Sequence, residues 1–412
     1  LTLEGLNVTD ETTNADHRAT LPASTILGVF LRLGLTSFGG PVAHLGYFRE
    51  EFVARRKWLD ERAYADLVAL CQFLPGPASS QVGIGVGLSK GGLIGAVAAW
   101  IGFTLPSALA MALFGLGVVA MGDSLGGGWL HGLKVVAVAV VAQAVWGMAK
   151  SLCPDAPRAS VAVVATLVVL AWPTPIAQVG VIVAGGIIGL LLSVGDENGE
   201  HVDLGAGVSR TWALAALAAF FILLVGLPLA VQLVPNQGLA LVDSFYRSGS
   251  LVFGGGHVVL PLLQSEVVPP GWVGNDAFMA GYGAAQAVPG PLFTFAAYLG
   301  SVMGPVPNGW TGAVICLLAV FAPSFLLVIG VLPFWDQLRQ VGAVRRALVG
   351  VNAAVVGLLL AALYNPVWTS AIFNAADFGL ALAAFTLLVM WKVPPSLVVI
   401  LCAAGGAGLG AL

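Results

Sequence analysis

The chain has 412 residues, 58% of them hydrophobic and only 9% charged, which excludes a soluble domain because its surface would lack polar cover. The net charge of −3 is too small to suggest a nucleic-acid surface. Four cysteines (Cys71, Cys153, Cys316, Cys402) lack CxxC spacing and imply neither a disulfide frame nor a metal site.

In chain order, residues 1–23 are polar and threonine-rich without the plan of a signal peptide, and read as a flexible tail. Apolar segments follow near 24–45, 63–88, 91–120, 129–150, 158–173 and 175–194, together a first transmembrane unit over 24–194. Their lengths suit a bilayer, whose core takes about 20 helical residues. A polar, acidic stretch at 195–209 and an extra apolar segment at 211–234 form a linker region over 195–239. Six further segments, near 240–263, 276–303, 309–335, 343–364, 371–391 and 393–412, make a second unit over 240–412. The expectation is an all-α polytopic membrane protein, with abundant glycine (54 residues) for close helix contacts.

The two units are copies. FLRLGLTSFGGPVAHL at 30–45 returns as FYRSGSLVFGGGHVVL at 245–260, and CQFLPGP at 71–77 as AQAVPGP at 285–291. GLIGAVAAWIGFTLPSA at 92–108 matches GWTGAVICLLAVFAPSF at 309–325, pairing Pro106 with Pro323 and Ser107 with Ser324. LKVVAVAVV at 133–141 matches LVGVNAAVV at 348–356, and Trp172 with Gly185-Gly186 matches Trp391 with Gly405-Gly406. The segment at 211–234 has no counterpart. The loop at 46–62 carries Arg49, Arg55, Arg56, Lys57 and Arg62, whereas its counterpart at 261–276 carries no Lys or Arg. Basic residues gather on cytoplasmic loops, so the equivalent loops face opposite sides and the repeats are inverted.

Glycine and proline inside apolar runs break helices, and broken backbone is tolerated at depth only where it lines a cavity. The breaks are FGGP (Phe38, Gly39, Gly40, Pro41), FGGG (Phe253, Gly254, Gly255, Gly256), LPGP (Pro75, Gly76, Pro77) and VPGP (Pro289, Gly290, Pro291). The segments with LPGP and VPGP read either as full spans or as re-entrant hairpins. Re-entry eases the placing of Lys90, Lys150, Arg345 and Arg346 on one side but leaves 211–234 hard to reconcile. A helix starting just after a break directs free N–H groups and a positive dipole end inward, so converging ends make an anion site. Thr36, Ser37, Gln72, Ser79, Ser80 and Gln81 in the first copy, and Gln286 and Thr294 in the second, add donors around the breaks. The plainer alternative is kinks that help helices pack.

Arg32 and Arg247 occupy the same repeat position, six residues before each FGG. A guanidinium deep in an apolar segment is expected to face a cavity, where its fork suits an oxyanion; snorkelling or a carboxylate partner is the bland reading. Lys134 and Asn352 fall in matching helices. His44 and His257 follow the glycine breaks and, with Asp66, are proton-coupling candidates; core histidines and an Asp66–Arg62 pair are the alternatives. No GxxxxGK[ST] or HExxH is present, nor a convincing Ser/His or paired-Asp arrangement for an intramembrane hydrolase, which argues against ATP-driven transport and enzymatic activity.

At FGGP, FLPGP, VPGP and GVNAAVVG the chain resembles the chromate ion transporter family in its long, two-domain form, over roughly residues 24–412. The one departure is Gly256 where the first copy has Pro41. The resemblance implies a secondary carrier without cofactor or metal that exports chromate across a bacterial inner membrane and confers resistance. A dianion leaving a cytoplasm at −100 mV gains about 4.6 kcal/mol, so export can run on membrane potential, with or without proton antiport. The alternatives are a permease for sulfate or another oxyanion, and an anion channel. Membrane lipid is the expected surrounding, and monomer and homodimer both remain open.

Overall fold

The computed structural model describes residues 20–122, 127–191, 208–338 and 341–409; most of the expected tail and of the acidic linker lies outside them. Every repeat begins with two helical hairpins. In the first repeat, α1 (Ala23–Thr36) reverses at FGGP into α2 (Gly40–Arg49), which runs on as a π-helical turn over Glu50–Arg55. Next, α3 (Glu61–Phe73) reverses at LPGP into α4, spanning Ala78–Met121. Helix α4 doubles back at Gly91-Gly92, giving a short arm α4a (78–90) and a long arm α4b (93–121).

The contacts fix these reversals. Phe30 of α1 packs on Phe48 and Phe52, at centroid distances of 5.7 and 5.0 Å, so α2 lies back along α1. Tyr64 of α3 donates to the Leu45 carbonyl at 2.6 Å, and Leu67 covers Gly85 of α4a. The base closes where Leu21 N donates to Lys90 O at 2.7 Å. Reversal at the tips requires positive φ, which glycine alone adopts freely. Gly39 (+101°), Gly76 (+124°), Gly254 (+73°) and Gly290 (+90°) supply it, one at each of four tips.

The second repeat repeats the plan. Helix α9 (Gln237–Ser250) reverses at FGGG into α10 (Val259–Val267), and α11 (Asn275–Ala285) reverses at VPGP into α12 (Phe295–Val302). Tyr298 donates to Ala277 O at 2.7 Å across the second hairpin, and Gly304 N to Trp272 O at 3.0 Å at its base. Helix α13 (Gly309–Val331) then corresponds to α4b.

The glycine breaks therefore turn the chain around, and the hairpin segments do not cross. The crossings of the first repeat are α4b, α5 (Gly127–Leu152), α6 (Ala156–Ala171) and α7 (Pro175–Gly189). Those of the second are α13, α15 (Gly342–Ala362), α16 (Ala375–Val389) and α17 (Pro395–Leu409); α14 is a single turn, Trp335–Leu338. Four crossings return the chain to its starting side, and α8 (Arg210–Leu233) carries it over once. The second repeat is thereby inverted, and the segment that looked hard to reconcile with re-entry has its place. Helices α4, α5, α8, α13 and α15 are long and apolar enough to span. Helices α6, α7, α16 and α17 have 16, 15, 15 and 15 residues, about 22–24 Å at 1.5 Å per residue.

The last helices are exchanged between repeats. Helices α6 and α7 pack on α15, and α16 and α17 pack on α5. Glycine allows the backbones to touch: Gly185 and Gly189 meet Gly350, and Gly128 and Gly132 meet Gly406 and Cys402. Neither repeat buries its own terminal helices.

This topology sorts the charges. Twelve of the fifteen described lysines and arginines lie at the face where the first-repeat hairpins are based: Arg49, Arg55, Arg56, Lys57, Arg62, Lys90, Lys150, Arg158, Arg210, Arg345, Arg346 and Lys392. The remaining three are Arg32 and Arg247 on hairpin arms and Lys134 toward the opposite face.

Candidate functional site

The hairpins of the first repeat enter from one face and those of the second from the other, and their tips meet. Gly76 N donates to Val252 O at 2.7 Å, and Gly290 N donates to Ser37 O at 2.8 Å. These bonds are symmetry mates, because Ser37 aligns with Val252 and Gly76 with Gly290. Each Pro-Gly-Pro tip thus bonds the last carbonyl before the FGG of the other repeat. A side chain at either glycine has no room: its Cβ would lie 2.9 Å from Ser324 Oγ at Gly76 and 2.9 Å from Ser107 Oγ at Gly290. Ser107 and Ser324 are themselves a repeat pair on α4b and α13. Gly256 approaches Pro41, and Gly254 approaches Met148 and Asn352, so the glycine tips also face each other beside α5 and α15.

Two consequences follow for charge. Helices α2 and α4a begin at the tips, and α10 and α12 begin one turn beyond, after the Gly256–Val258 and Leu292–Thr294 turns, so four positive dipole ends point at one region. The opposing carbonyl ends are partly consumed: Ser37 O and Val252 O accept the cross-repeat bonds, and Pro75 O accepts from Gln81 Nε2 at 2.7 Å. The local field therefore favours an anion.

The residues singled out from sequence divide into two groups. Phe38, Gly39, Gly40, Pro41, Phe253, Gly254, Gly255, Gly256 and the two Pro-Gly-Pro triplets form the tips, with Ser79 and Ser80 in the first turn of α4a. Gln286 precedes the VPGP turn, and Thr294, fully buried, donates to Pro291 O at 2.9 Å. Gln72 is on α3 just before its tip but is exposed.

The charged candidates sit elsewhere. Arg32 is exposed on α1. Arg247 is held by two carboxylates, Asp243 at 2.7 Å and Glu266 at 3.0 Å. The repeat-equivalent positions are Gly28 and Glu51, and Glu51 pairs instead with Arg55 and Arg56, at 3.0 and 2.6 Å. The two arginines thus share a repeat position but not an environment. Lys134 pairs with Asp276 at 3.0 Å toward the opposite face, so it and Asn352 are not joined in one site. Asp66 lies half-buried midway down α3, below the tip.

His44 and His257 tie hairpins together within a repeat. His44, 1% exposed, contacts Ser79 Oγ at 3.3 Å and Ser37 O at 3.2 Å. His257 Nδ1 lies 2.8 Å from the Tyr282 hydroxyl. Their registers differ, since His44 aligns with Val259 and His257 with Val42.

Sequence reasoning assigned no role to Thr104, Ser107, Ser324, Asp243 or Glu266. The recurrence of Ser107 as Ser324 was the one available signal.

A family model for chromate transporters matches residues 24–190 and again 239–409. The chain is 30% identical over 394 residues to the chromate transport protein of Pseudomonas aeruginosa, covering 92% of this chain and 90% of that one. It is 26% identical over 375 residues to the chromate transport protein of Cupriavidus metallidurans, covering 85% of each. It is 25% identical over 393 residues to the probable chromate transport protein of Synechococcus elongatus, covering 92% and 93%. No solved structure matches the chain.

Proposed function

Because the chain belongs to the chromate transporter family, we propose that it is a secondary carrier exporting chromate from the cytoplasm, with the four meeting tips as its anion site. The observation that carries this reading is the reciprocal pair of bonds from Gly76 to Val252 and from Gly290 to Ser37. It supports a single central site built equally from both repeats and approached by hairpins from both faces, as alternating access needs. The face bearing twelve cations is assigned to the cytoplasm by the positive-inside rule.

Direction follows from charge. A dianion moving out of a negative compartment gains about 4.6 kcal/mol per 100 mV, and import costs as much. The test is chromate uptake into inverted membrane vesicles with potential and pH gradient imposed separately. Export predicts saturable uptake driven by an interior-positive potential. Absence of uptake under both gradients, or chromate sensitivity in place of resistance in cells making the protein, overturns the reading in favour of an importing oxyanion permease.

A further inference from the structure

Buried hydroxyls in helices normally donate to the carbonyl three or four residues back, because an unpaired one loses its bonds to water and gains none in return. Several of this chain's buried hydroxyls follow the habit. Ser250 donates to Tyr246 O at 2.8 Å, Thr166 to Ala162 O at 2.8 Å, and Ser301 to Tyr298 O at 2.7 Å.

Four hydroxyls near the tips do not follow it, and neither does Ser248 on α9. Ser37 Oγ, Ser80 Oγ, Thr104 Oγ1 and Ser324 Oγ have no hydrogen-bond partner, although these residues are 1, 2, 1 and 0% exposed. They come from four different helix segments. Ser37 ends α1 and its carbonyl receives Gly290 N. Ser80 lies in the first turn of α4a. Ser324 Oγ faces Gly76, and Thr104 follows Phe103, whose carbonyl lies 3.1 Å from the notional Cβ of Gly290. The repeat makes the anomaly sharper: Ser107 donates to Thr104 O at 3.1 Å, while its mate Ser324 donates to nothing. The amide Nε2 of Gln286, just before the VPGP turn, is likewise buried and unpaired, as is Gln81 Oε1 on α4a.

Among the described residues, the candidate cations are engaged or placed elsewhere. Arg247 is shared by two carboxylates, Lys134 is paired, and Arg32 is exposed. We propose that Ser37, Ser80, Thr104 and Ser324 are the substrate-recognising hydroxyls, so that a tetrahedral dianion is held by neutral donors and helix ends, without a guanidinium or an ammonium. The proposal rests on the transport reading above and deepens it. A fully deprotonated XO4 dianion only accepts hydrogen bonds, so unpaired donors are the groups that complement it. Neutral donors also bind without forming a tight ion pair, which leaves the ion free to depart.

The test uses the full chain in inverted vesicles, with chromate as the transported ion, in wild type, Ser324→Ala, Thr104→Val, Ser80→Ala and Ser37→Ala. Each substitution is expected to raise the KM for chromate about 10-fold, equivalent to about 1.4 kcal/mol. Thermal stability of the purified variants should be equal to wild type or higher, because an unpaired buried group is being removed. Ser301→Ala, which deletes a hydroxyl already bonded, is the comparison: stability falls and KM stays. Unchanged KM in all four variants, beside a wild type that transports, overturns the proposal and leaves the transport reading standing. Loss of stability in the four, matching Ser301→Ala, also overturns it, since the hydroxyls would then be structural. A wild type that moves no chromate defeats the transport reading and this proposal with it.

Discussion

Arg247 offers the sharpest test of how charge is managed in this fold. Its two terminal nitrogens serve Asp243 at 2.7 Å and Glu266 at 3.0 Å, and the side-chain exposures of the three are 26, 8 and 11%. The cluster therefore carries two carboxylates on one guanidinium. Arg247→Gln leaves both carboxylates facing each other with no cation. Removing one partner of a buried ion pair costs about 3–5 kcal/mol, and the partial exposure of Arg247 places the effect near the lower end. Replacing the whole cluster, as Asp243→Asn/Arg247→Gln/Glu266→Gln, removes charge and partner together and is expected to restore most of the loss. The assay is the melting temperature of purified protein, with vesicle transport measured on the same preparations. Arg247→Gln should melt several degrees below wild type, and the triple variant close to wild type with transport retained. Equal stability of Arg247→Gln and wild type would refute the ionic account. A stable triple variant that no longer transports would instead return Arg247 to the substrate.

Three further outcomes follow from the packing. Gly76→Ala and Gly290→Ala each place a Cβ at φ of +124° and +90°, a strain of about 1–2 kcal/mol before any clash with Ser324 or Ser107; both should lose transport to a similar degree, and full activity in either would show that the crossing is not tight. Gly350→Val drives a side chain into the backbone of Gly185 and Gly189, where α7 meets α15; folded yield on size-exclusion should collapse, whereas Gly226→Val, with open space on exposed α8, should leave it unchanged. Single cysteines at the repeat-equivalent positions Ala54 and Pro269, with the half-buried Cys153 replaced by Ser, should react with an impermeant maleimide from opposite sides of the membrane; labelling from the same side excludes inversion.

The duplicated breaks were legible in the sequence because glycine and proline leave an unmistakable mark in an apolar run. What the breaks do was not. FGGP reads equally well as a kink inside one span or as a reversal, and only the packing of Phe30 on Phe48 and Phe52 distinguishes them. The deep arginines were found by their recurrence, but recurrence reports shared ancestry. It does not report that Gly28 stands in the first repeat where the second has Asp243. Ser37 and Ser80 stood out beside the breaks, whereas Thr104 and Ser324 did not, and the unpaired state of all four has no mark in the sequence: serine and threonine are common in apolar helices, and whether one is satisfied depends on a carbonyl a turn away and on what faces it. The exchange of terminal helices between repeats is a long-range fact with no local signature. Only the glycines at 185, 350 and 406 hint at close backbones.

The helix without a counterpart, α8, accounts for the site more than any residue in it. Each repeat crosses an even number of times, four, so without α8 the second repeat would start on the same side as the first. All four hairpins would then descend from one face, and Gly76 could not reach Val252, nor Gly290 reach Ser37. One added crossing turns the second repeat over, sets its tips against those of the first, and brings the N-terminal ends of α2, α4a, α10 and α12 to one depth. It also explains why α8 itself is plain: a 24-residue apolar helix with little buried surface, packed on α9 and α13 but contributing no tip and no polar group to the crossing. Its contribution is parity, so its sequence needs only to span. Substitutions that keep α8 apolar and helical should be tolerated along most of its exposed face. Converting it to a hydrophilic linker of equal length should abolish the reciprocal tip contacts and transport together, and retained transport in that variant would show that the site does not depend on opposed repeats.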